Sequence, residues 1–292
     1  MTQTNPSVSS APLRWGIIST GRIAQTFARG LTESRTGKLI AVASRSQPAA
    51  DKFAAEFGIE KGYASYEALL ADPQVQAVYI ATPHPLHAIW AIRAAEAKKH
   101  VLVEKPIGLN FAEAMAITEA ARANGVFLME AFMYRCHPQI AKLKELLAAK
   151  VIGDVRIIQS TFSFKGPDPA SDNRLVREDL GGGGILDVGC YVASFARLVA
   201  GAAIGKPFSD AMRVKAVAHI ESTGIDGYTA AVAEVPGGIL AQLSCGVQLH
   251  QENLARIVGT GGTISVDSPW VPGREATITV HRAGQSPEKI TV

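Results

Sequence analysis

Between Leu13 and Met129 short apolar runs alternate with amphipathic stretches, and this alternation constrains the chain more than any other feature of it. The runs are Leu13 to Ser19, Lys38 to Ser44, Ala77 to Ala81, His100 to Glu104 and Val126 to Glu130. Helical candidates separate them at Arg22 to Leu31, Pro48 to Phe57, Tyr66 to Ala71, Pro85 to Lys98 and Ala112 to Asn124. Strands that alternate with helices feed a parallel sheet, because each crossover lays a helix on one face. Ser65 and Asn110 are expected as N-caps and Asn124-Gly125 as a C-terminal stop. The spacing thus predicts a doubly wound α/β domain over residues 13–130.

After Glu130 the rhythm changes. A helix is expected over Pro138 to Ala149 and a long strand over Val155 to Phe164, followed by a polar loop with Gly166-Pro167, Asp168-Pro169 and Asp172-Asn173. Gly181 to Gly184 then introduce a second helix running to about Val199. Strand-like runs follow at Met212 to Glu221, Tyr228 to Val235, Ile239 to Cys245, Asn253 to Gly259 and Thr263 to Val266, with Pro236-Gly237-Gly238 as a hairpin turn. Strands in succession indicate an antiparallel sheet. Residues 131–292 are therefore expected to form an α+β domain with one large, open, mostly antiparallel sheet. A chain of 292 residues suits two such domains at ~100–200 residues each.

Charge and cysteine usage narrow the partners. Lys and Arg number 29 against 26 Asp and Glu, a net charge of +3, and no segment gathers the excess into a basic stripe. Nucleic acid is not an expected partner. Hydrophobic residues make up 47% and charged residues 19%, and no apolar stretch is read as approaching the ~18 residues that span a bilayer. No membrane partner is expected. Cys136, Cys190 and Cys245 are odd in number and far apart, which fits neither a disulfide framework nor zinc-ligand spacing. No metal site is expected, since no H-x-x-x-H or clustered His/Asp spacing occurs. Residues 1–12 are polar and read as a disordered tail with no signal-peptide core, so the expected compartment is the cytoplasm.

Ser19-Thr20-Gly21-Arg22-Ile23-Ala24 follows the first strand and opens the first helix, where a dinucleotide fingerprint G-x-G-x-x-G/A lies, with Ser19 in place of its first glycine. Gly21 lets backbone approach a pyrophosphate, the helix amides point at the anion, and Ala24 allows close helix-to-strand packing. A plain strand-to-helix turn is the alternative. The end of the second strand, Ser44-Arg45-Ser46, lacks the carboxylate that holds a ribose 2′-hydroxyl in NAD sites. An arginine between two hydroxyls suits a 2′-phosphate, which a guanidinium meets as a charge-assisted fork. NADP is the expected cofactor ahead of NAD, with a solvated loop arginine as the alternative.

Two further stretches end parallel strands, where open α/β sheets bind ligands: Thr82-Pro83-His84-Pro85-Leu86-His87 and Glu104-Lys105-Pro106. A local salt bridge is the alternative for Glu104 and Lys105, and capping of the helix at Pro85 for His84 and His87. In the second half Asp187 and Tyr191 stand i, i+4 on one helix face, with Asp187 in the first turn where the dipole favours a carboxylate. On those residues alone, a flexible Gly181 to Gly184 linker and a core-facing Tyr191 are the simpler reading.

Taken together, Trp15-Gly16-Ile17-Ile18-Ser19-Thr20-Gly21-Arg22-Ile23-Ala24, Glu104-Lys105-Pro106 and Gly183-Gly184-Ile185-Leu186-Asp187-Val188-Gly189-Cys190-Tyr191 resemble the Gfo/Idh/MocA oxidoreductases. Thr82 to His87 and Phe127-Leu128-Met129-Glu130-Ala131 are further shared stretches. The resemblance runs from Leu13 to about Val271, towards the branch of trans-dihydrodiol dehydrogenases and NADP-dependent D-xylose 1-dehydrogenases. It implies an N-terminal Rossmann domain, a C-terminal α/β domain, and dimers or tetramers through the open sheet. It also implies nicotinamide near Lys105, and a D-x-G-x-H/Y motif whose acid/base is Tyr191 with Asp187 beside it. The expected cofactor set is Ser19, Thr20, Gly21, Arg22, Ile23, Ser44, Arg45, Ser46, Thr82, Pro83, His84, His87, Glu104 and Lys105. The expected catalytic set is Lys105, Asp187 and Tyr191.

A carbinol carbon that gives up hydride must also lose its hydroxyl proton, so a base within hydrogen-bond reach is required. A free tyrosine titrates at ~10, about 3 units above neutral, which is roughly 4 kcal/mol against the phenolate. A neighbouring ammonium lowers that value. The expected reaction is NADP-dependent oxidation of a hydroxyl on a sugar or vicinal diol. Tyr191 is the proton acceptor, Lys105 its electrostatic partner and substrate anchor, and Asp187 orients Lys105 or holds a substrate hydroxyl. The alternatives are NADPH-dependent reduction of a dicarbonyl or keto-sugar, and a non-catalytic NADP-binding sensor.

Three departures from the family pattern stand out. Met133 precedes Tyr134 where relatives often place an aromatic residue, implying a differently shaped substrate pocket. Arg135 and Arg174 are read as structural ion-pair residues ahead of substrate contacts. The chain reaches Val292 several dozen residues before the family usually ends, and an uncovered sheet edge is expected to lower stability or enforce association.

Overall fold

The computed structural model describes residues 11–292. The tail expected over residues 1–12 lies outside the described residues except for Ala11 and Pro12. The chain forms two units, one ending at Ala131 and the other running from Phe132 to Val292.

In the first unit β1 (Leu13–Ile18), β2 (Gly37–Ala43), β3 (Lys61–Tyr63), β4 (Ala77–Ile80), β5 (His100–Val103) and β6 (Leu128–Glu130) stand in the order β3-β2-β1-β4-β5-β6, every pair parallel. Helices α1 (Arg22–Thr32), α2 (Gln47–Phe57), α3 (Tyr66–Ala71), α4 (His87–Glu96) and α5 (Phe111–Asn124) lie between them in sequence. This is the Rossmann order, whose winding reverses between β1 and β4 and opens a ligand crevice at their carboxyl ends. Helices on both faces leave no polar side to the strands, and all four residues of β4 are buried. Ser65 accepts the Ala68 N–H at the start of α3 and Asn110 the Glu113 N–H at the start of α5, as expected of N-caps. Gly58 and Gly125 close α2 and α5 in the left-handed conformation. The three-residue β3 was not foreseen, because Lys61-Gly62-Tyr63 on the sheet edge carries no apolar run.

The helix expected from Pro85 begins instead at His87, after a 3₁₀ turn over His84–Leu86, and its N-cap residue is Leu86.

In the second unit α6 (Pro138–Ala148), β7 (Val155–Ser163) and α7 (Cys190–Ala203) precede β8 (Arg213–Ile220), β9 (Asp226–Val235), β10 (Ile239–Gly246), β11 (Ala255–Gly259), β12 (Gly262–Val266), β13 (Thr277–Arg282) and β14 (Glu288–Thr291). They form one eight-stranded sheet in the order β14-β13-β12-β11-β7-β10-β9-β8. Every pairing is antiparallel except β7 with β10. Val235 faces Ile239 across the Pro236-Gly237-Gly238 turn, and both glycines take positive φ, as this tight connection requires. Helix α7 packs on β7 and β10, and Leu143, Ile158, Phe195, Val199, Ile257 and Ile264 join one core. On β8 all eight residues are exposed, Val214, Val217 and Ile220 among them.

Two further expectations needed correction here. Strands β13 and β14 extend the sheet beyond those read from sequence, since β14 is a short charged edge and β13 lacks turn signals as distinct as those of the hairpins. The segment Glu178–Ala203 is long and apolar enough by length and composition to cross a bilayer, but 61% of its most apolar 18-residue window is buried inside the protein. Its apolar character serves this core.

Candidate active site

The first unit gathers the expected cofactor residues at the carboxyl ends of β1, β2, β4 and β5. Ser19 stands at φ +92°, the region that glycine adopts without strain, so the turn keeps the backbone of the fingerprint although its first glycine is missing. Its N–H donates to the Ala43 carbonyl at 3.0 Å and its Oγ accepts the Gly21 N–H at 3.4 Å. A Cβ added to Gly21 would meet only that Oγ, at 3.7 Å. Among the described residues no neighbour demands the glycine, which leaves space beside the backbone for a ligand. Helix α1 has no side-chain cap and no acidic residue in its first turn, so its leading amides remain suited to an anion. Thr20, Arg22 and Ile23 flank this turn, with Ile23 46% exposed, and Ala24 packs fully buried beneath it.

At the end of β2, Ser44 is buried and anchored by its N–H to the Tyr63 carbonyl at 3.0 Å, while Arg45 and Ser46 are exposed. Among the described residues no carboxylate pairs with Arg45. Its charge is felt by Tyr66 at the start of α3: burial raises the phenol above its ordinary value and the guanidinium pulls it back down.

At the end of β4 the Thr82 hydroxyl is buried with no hydrogen-bond partner among the described residues. An orphaned hydroxyl at the switch point fits a site that takes a polar ligand. Pro83 is exposed and His84 buried, with its ring 5.5 Å from that of His87. His87 braces the half-site: Nδ1 lies 2.7 Å from the Pro106 carbonyl and Nε2 lies 2.9 Å from the Thr82 carbonyl, tying the ends of β4 and β5 together. At the end of β5, Glu104 accepts from the Tyr79 hydroxyl and from the Lys105 N–H, and Glu130 accepts the Ile107 N–H at 2.8 Å. The Lys105-Pro106 peptide bond is cis. The glycine turn, the arginine after β2, the orphaned hydroxyl and the lysine after β5 together fit a dinucleotide.

Asp187 and Tyr191 belong to the second unit. The glycine run before them is packed, which overturns the linker alternative. A Cβ on Gly182 would lie within 2.8 Å of the Leu175, Arg174 and Arg177 carbonyls, and Gly183 takes φ +107°. The helix expected after it starts as a π turn, Ile185–Gly189, and becomes α-helical only at Cys190. A Cβ on Gly189 would come 2.9 Å from Cys245 Sγ, which shows how closely this turn lies on β10. π turns are rare and concentrate at functional sites.

Asp187 is 6% exposed, and its Oδ1 accepts from Arg174 Nη2 at 3.2 Å. Arg174 is thus an ion-pair residue as read from sequence, yet its partner is the candidate catalytic carboxylate. Arg135 is exposed and makes no salt bridge among the described residues. The Tyr191 ring is 4% exposed and meets Phe132 and Phe162 edge to face, each at 5.2 Å, while its hydroxyl donates to Met133 Sδ at 3.3 Å. A thioether is a weak acceptor. Trp270, from the chain beyond β12, stacks on Phe162 and gives the cluster its floor.

Sequence reasoning missed one residue that organises this half-site. Asp226, the first residue of β9, accepts the Ile185 N–H at 2.8 Å across 41 residues of chain. No local pattern announces a cap supplied from that far away.

A model of the oxidoreductase family with an NAD-binding Rossmann fold, GFO/IDH/MocA, matches residues 13–132, and one of the GFO/IDH/MocA C-terminal domain matches residues 140–265. Over 262 residues the chain is 38% identical to trans-1,2-dihydrobenzene-1,2-diol dehydrogenase of Mus musculus, covering 89% of this chain and 76% of that protein. The Sus scrofa enzyme of the same name is 35% identical over 263 residues, with the same shares covered. A crystal structure of a 3-ketoreductase from Actinomadura kijaniata, in complex with NADP and TDP-benzene, superposes with a TM-score of 0.83 at 30% identity, covering 96% of this chain and 84% of that one. An aldose-aldose oxidoreductase from Caulobacter crescentus, complexed with glycerol, shares the fold at a TM-score of 0.84 and 24% identity, over 96% and 83%.

Proposed function

Because the chain belongs to the GFO/IDH/MocA oxidoreductases and carries an NAD(P)-binding Rossmann domain, we propose that it is an NADP-dependent dehydrogenase acting on a hydroxyl-bearing carbon of a sugar or vicinal diol. The observation that carries this reading is the pairing of a buried carboxylate, Asp187, with a buried tyrosine, Tyr191, at the head of one helix. A protein that only binds a dinucleotide has no use for that pair. The relatives named as diol dehydrogenases support the substrate class.

Bound nicotinamide supplies or accepts the hydride. Tyr191, as the phenolate, takes the proton of the substrate hydroxyl, its ring held by Phe132 and Phe162. Lys105, at the end of β5, anchors the substrate. Asp187 holds a second substrate hydroxyl, with Arg174 keeping the carboxylate paired. Thr82 and Gly21 line the cofactor path, Ser44, Arg45 and Ser46 receive the 2′-phosphate, and His87 keeps the Glu104-Lys105-Pro106 turn in place.

The reverse reaction, NADPH-dependent reduction of a keto-sugar, is the second reading, and the likeness to a 3-ketoreductase structure holding NADP favours it. The open face of the second sheet, with Val214, Val217 and Ile220 exposed on β8, is the surface through which we propose the chain self-associates as a dimer or tetramer.

Fluorescence titration with NADPH and NADH, followed by absorbance assays on aldoses and vicinal diols with NADP⁺ and on keto-sugars with NADPH, tests the reading. Arg45→Ala is expected to weaken NADPH binding by about tenfold or more while sparing NADH, as loss of a charged hydrogen bond would. Lys105→Met and Tyr191→Phe are expected to bind cofactor and lose turnover; retention of near-normal kcat in either removes the role assigned to that residue.

A further inference from the structure

We propose that Asp226 is a positioning residue of the active site, its carboxylate capping from β9 the turn that carries Asp187 and Tyr191. The proposal rests on the catalytic reading of that pair given above.

The turn cannot cap itself. Its first flanking residue is Gly184, which has no side chain with which to bond its leading amides. Asp226 Oδ2 takes their place, accepting the Ile185 N–H at 2.8 Å and the Thr229 hydroxyl at 3.0 Å, and the Gly184 amide faces the same carboxylate. Thr229, from the same strand, is itself 7% exposed. A Cβ on Gly183 would lie 2.3 Å from Asp226 Oδ1, and one on Gly184 would lie 3.1 Å from Oδ2. The two glycines that read from sequence as a linker are therefore what admits this carboxylate. A negative charge at a helix N-terminus also opposes the dipole.

The geometry reaches the catalytic pair in few bonds. The Asp187 N–H donates to the Gly183 carbonyl at 3.1 Å, so the residue packed on Asp226 begins the hydrogen-bond ladder that holds Asp187. From β10, Cys245 Sγ closes on Gly189 at the other end of the turn and feels the charge of Asp226. The carboxylate thus sets one end of a five-residue turn and a close backbone contact the other. A shift of its first residue is passed to Asp187 and Tyr191, because the π turn between these anchors has no slack.

Burial pushes the Asp226 carboxyl above its ordinary value, opposed by the bonds from Ile185 and Thr229. Protonation on acidification removes one of the two acceptor oxygens, so activity falls through that titration. The titratable group facing it from β10 is Cys245, which burial keeps neutral throughout the acid range.

The experiment compares wild type, Asp226→Ala, Asp226→Asn and Tyr191→Phe by NADPH titration, kcat against pH, and amide exchange at Ile185. Asp226→Ala is expected to leave NADPH binding intact, speed exchange at Ile185, and lower kcat by about ten- to hundredfold, the scale of a small displacement of catalytic groups. Asp226→Asn, which keeps one acceptor, is expected to retain intermediate kcat and to lose the acid limb that wild type shows. It also serves if the alanine variant fails to fold. If Tyr191→Phe abolishes turnover while both Asp226 variants keep wild-type kcat and pH profile, the positioning role is overturned and the catalytic reading stands. Lower stability with an unchanged pH profile overturns it in the same way. If Tyr191→Phe keeps its kcat, the catalytic reading falls and this inference with it.

Discussion

Arg174 donates from Nη2 to Oδ1 of Asp187 across 3.2 Å, joining a guanidinium that is 43% exposed to a carboxylate whose side chain is 8% exposed. The two residues are 13 apart in sequence, on either side of the glycine run. The loop that carries Arg174 is itself laced to that run, since the Gly183 N–H donates to the Leu175 carbonyl at 3.0 Å and the Gly182 N–H to the Arg177 carbonyl at 2.9 Å.

Arg174→Ala leaves a buried carboxylate without this partner, a change far more disruptive than loss of an exposed pair. We expect kcat/KM to fall by about tenfold with NADPH affinity unchanged, and Arg174→Lys to recover part of the loss. Steady-state kinetics beside a cofactor titration reads both. Wild-type kcat/KM in Arg174→Ala would leave the pair without a part in catalysis.

Ser19 holds φ +92° at the position where the fingerprint has glycine. Ser19→Gly removes strain of about 1 kcal/mol but frees the unfolded chain by a similar amount, so stability in urea is expected to stay within about 1 kcal/mol of wild type. Ser19→Val places a β-branched residue in the same conformation and is expected to lower both stability and NADPH affinity. Equal stability of the glycine and valine variants would contradict the turn geometry.

Asp226 gives stability an unusual pH dependence. Its folded value is raised by burial, so the folded state binds this proton more tightly than the unfolded chain does. Stability attributable to the group is therefore present below the ordinary carboxylate range and declines as pH rises through the raised value. The Tm of wild type minus that of Asp226→Asn is expected to increase on acidification through that window, while the kcat of wild type decreases. A difference that shrinks instead would mean that the folded protein lowers this value.

Cys245 is buried, and desolvation first, then the nearby Asp226 charge, pushes its thiol up to about 12. At about pH 8 it is protonated and shielded, whereas Cys136 is exposed. Iodoacetamide is expected to label Cys136 in the folded protein and Cys245 only after denaturation, as peptide mass spectrometry would show. Labelling of Cys245 in the folded state would mean that β10 opens from the turn over Gly189.

Much of this was legible in the chain itself. Alternating apolar runs and caps at Ser65 and Asn110 gave the parallel sheet of the first unit, and strands in succession gave the antiparallel sheet of the second. Those signals are local: burial on both faces, or on one, writes a period into a stretch of ten residues. The strands that went unread, β3, β13 and β14, lack such a period or lie on a sheet edge.

The candidate site divides in the same way. Ser19 to Ile23, Arg45 and Lys105 became candidates as residue types at strand ends and a helix start, whereas Asp187 and Tyr191 became candidates only through the resemblance to the family. What tertiary structure decided was how those residues are held. Thr82 became a buried hydroxyl with no protein partner among the described residues, His87 a brace between two carbonyls, Arg174 the partner of Asp187, and Asp226 the cap of a turn 41 residues earlier. A short-range pattern can specify an element, because neighbours in sequence share its backbone hydrogen bonds. It cannot specify which distant side chain will satisfy the groups that element leaves over, because that partner is chosen only when the sheet brings β9 and β10 against the head of α7.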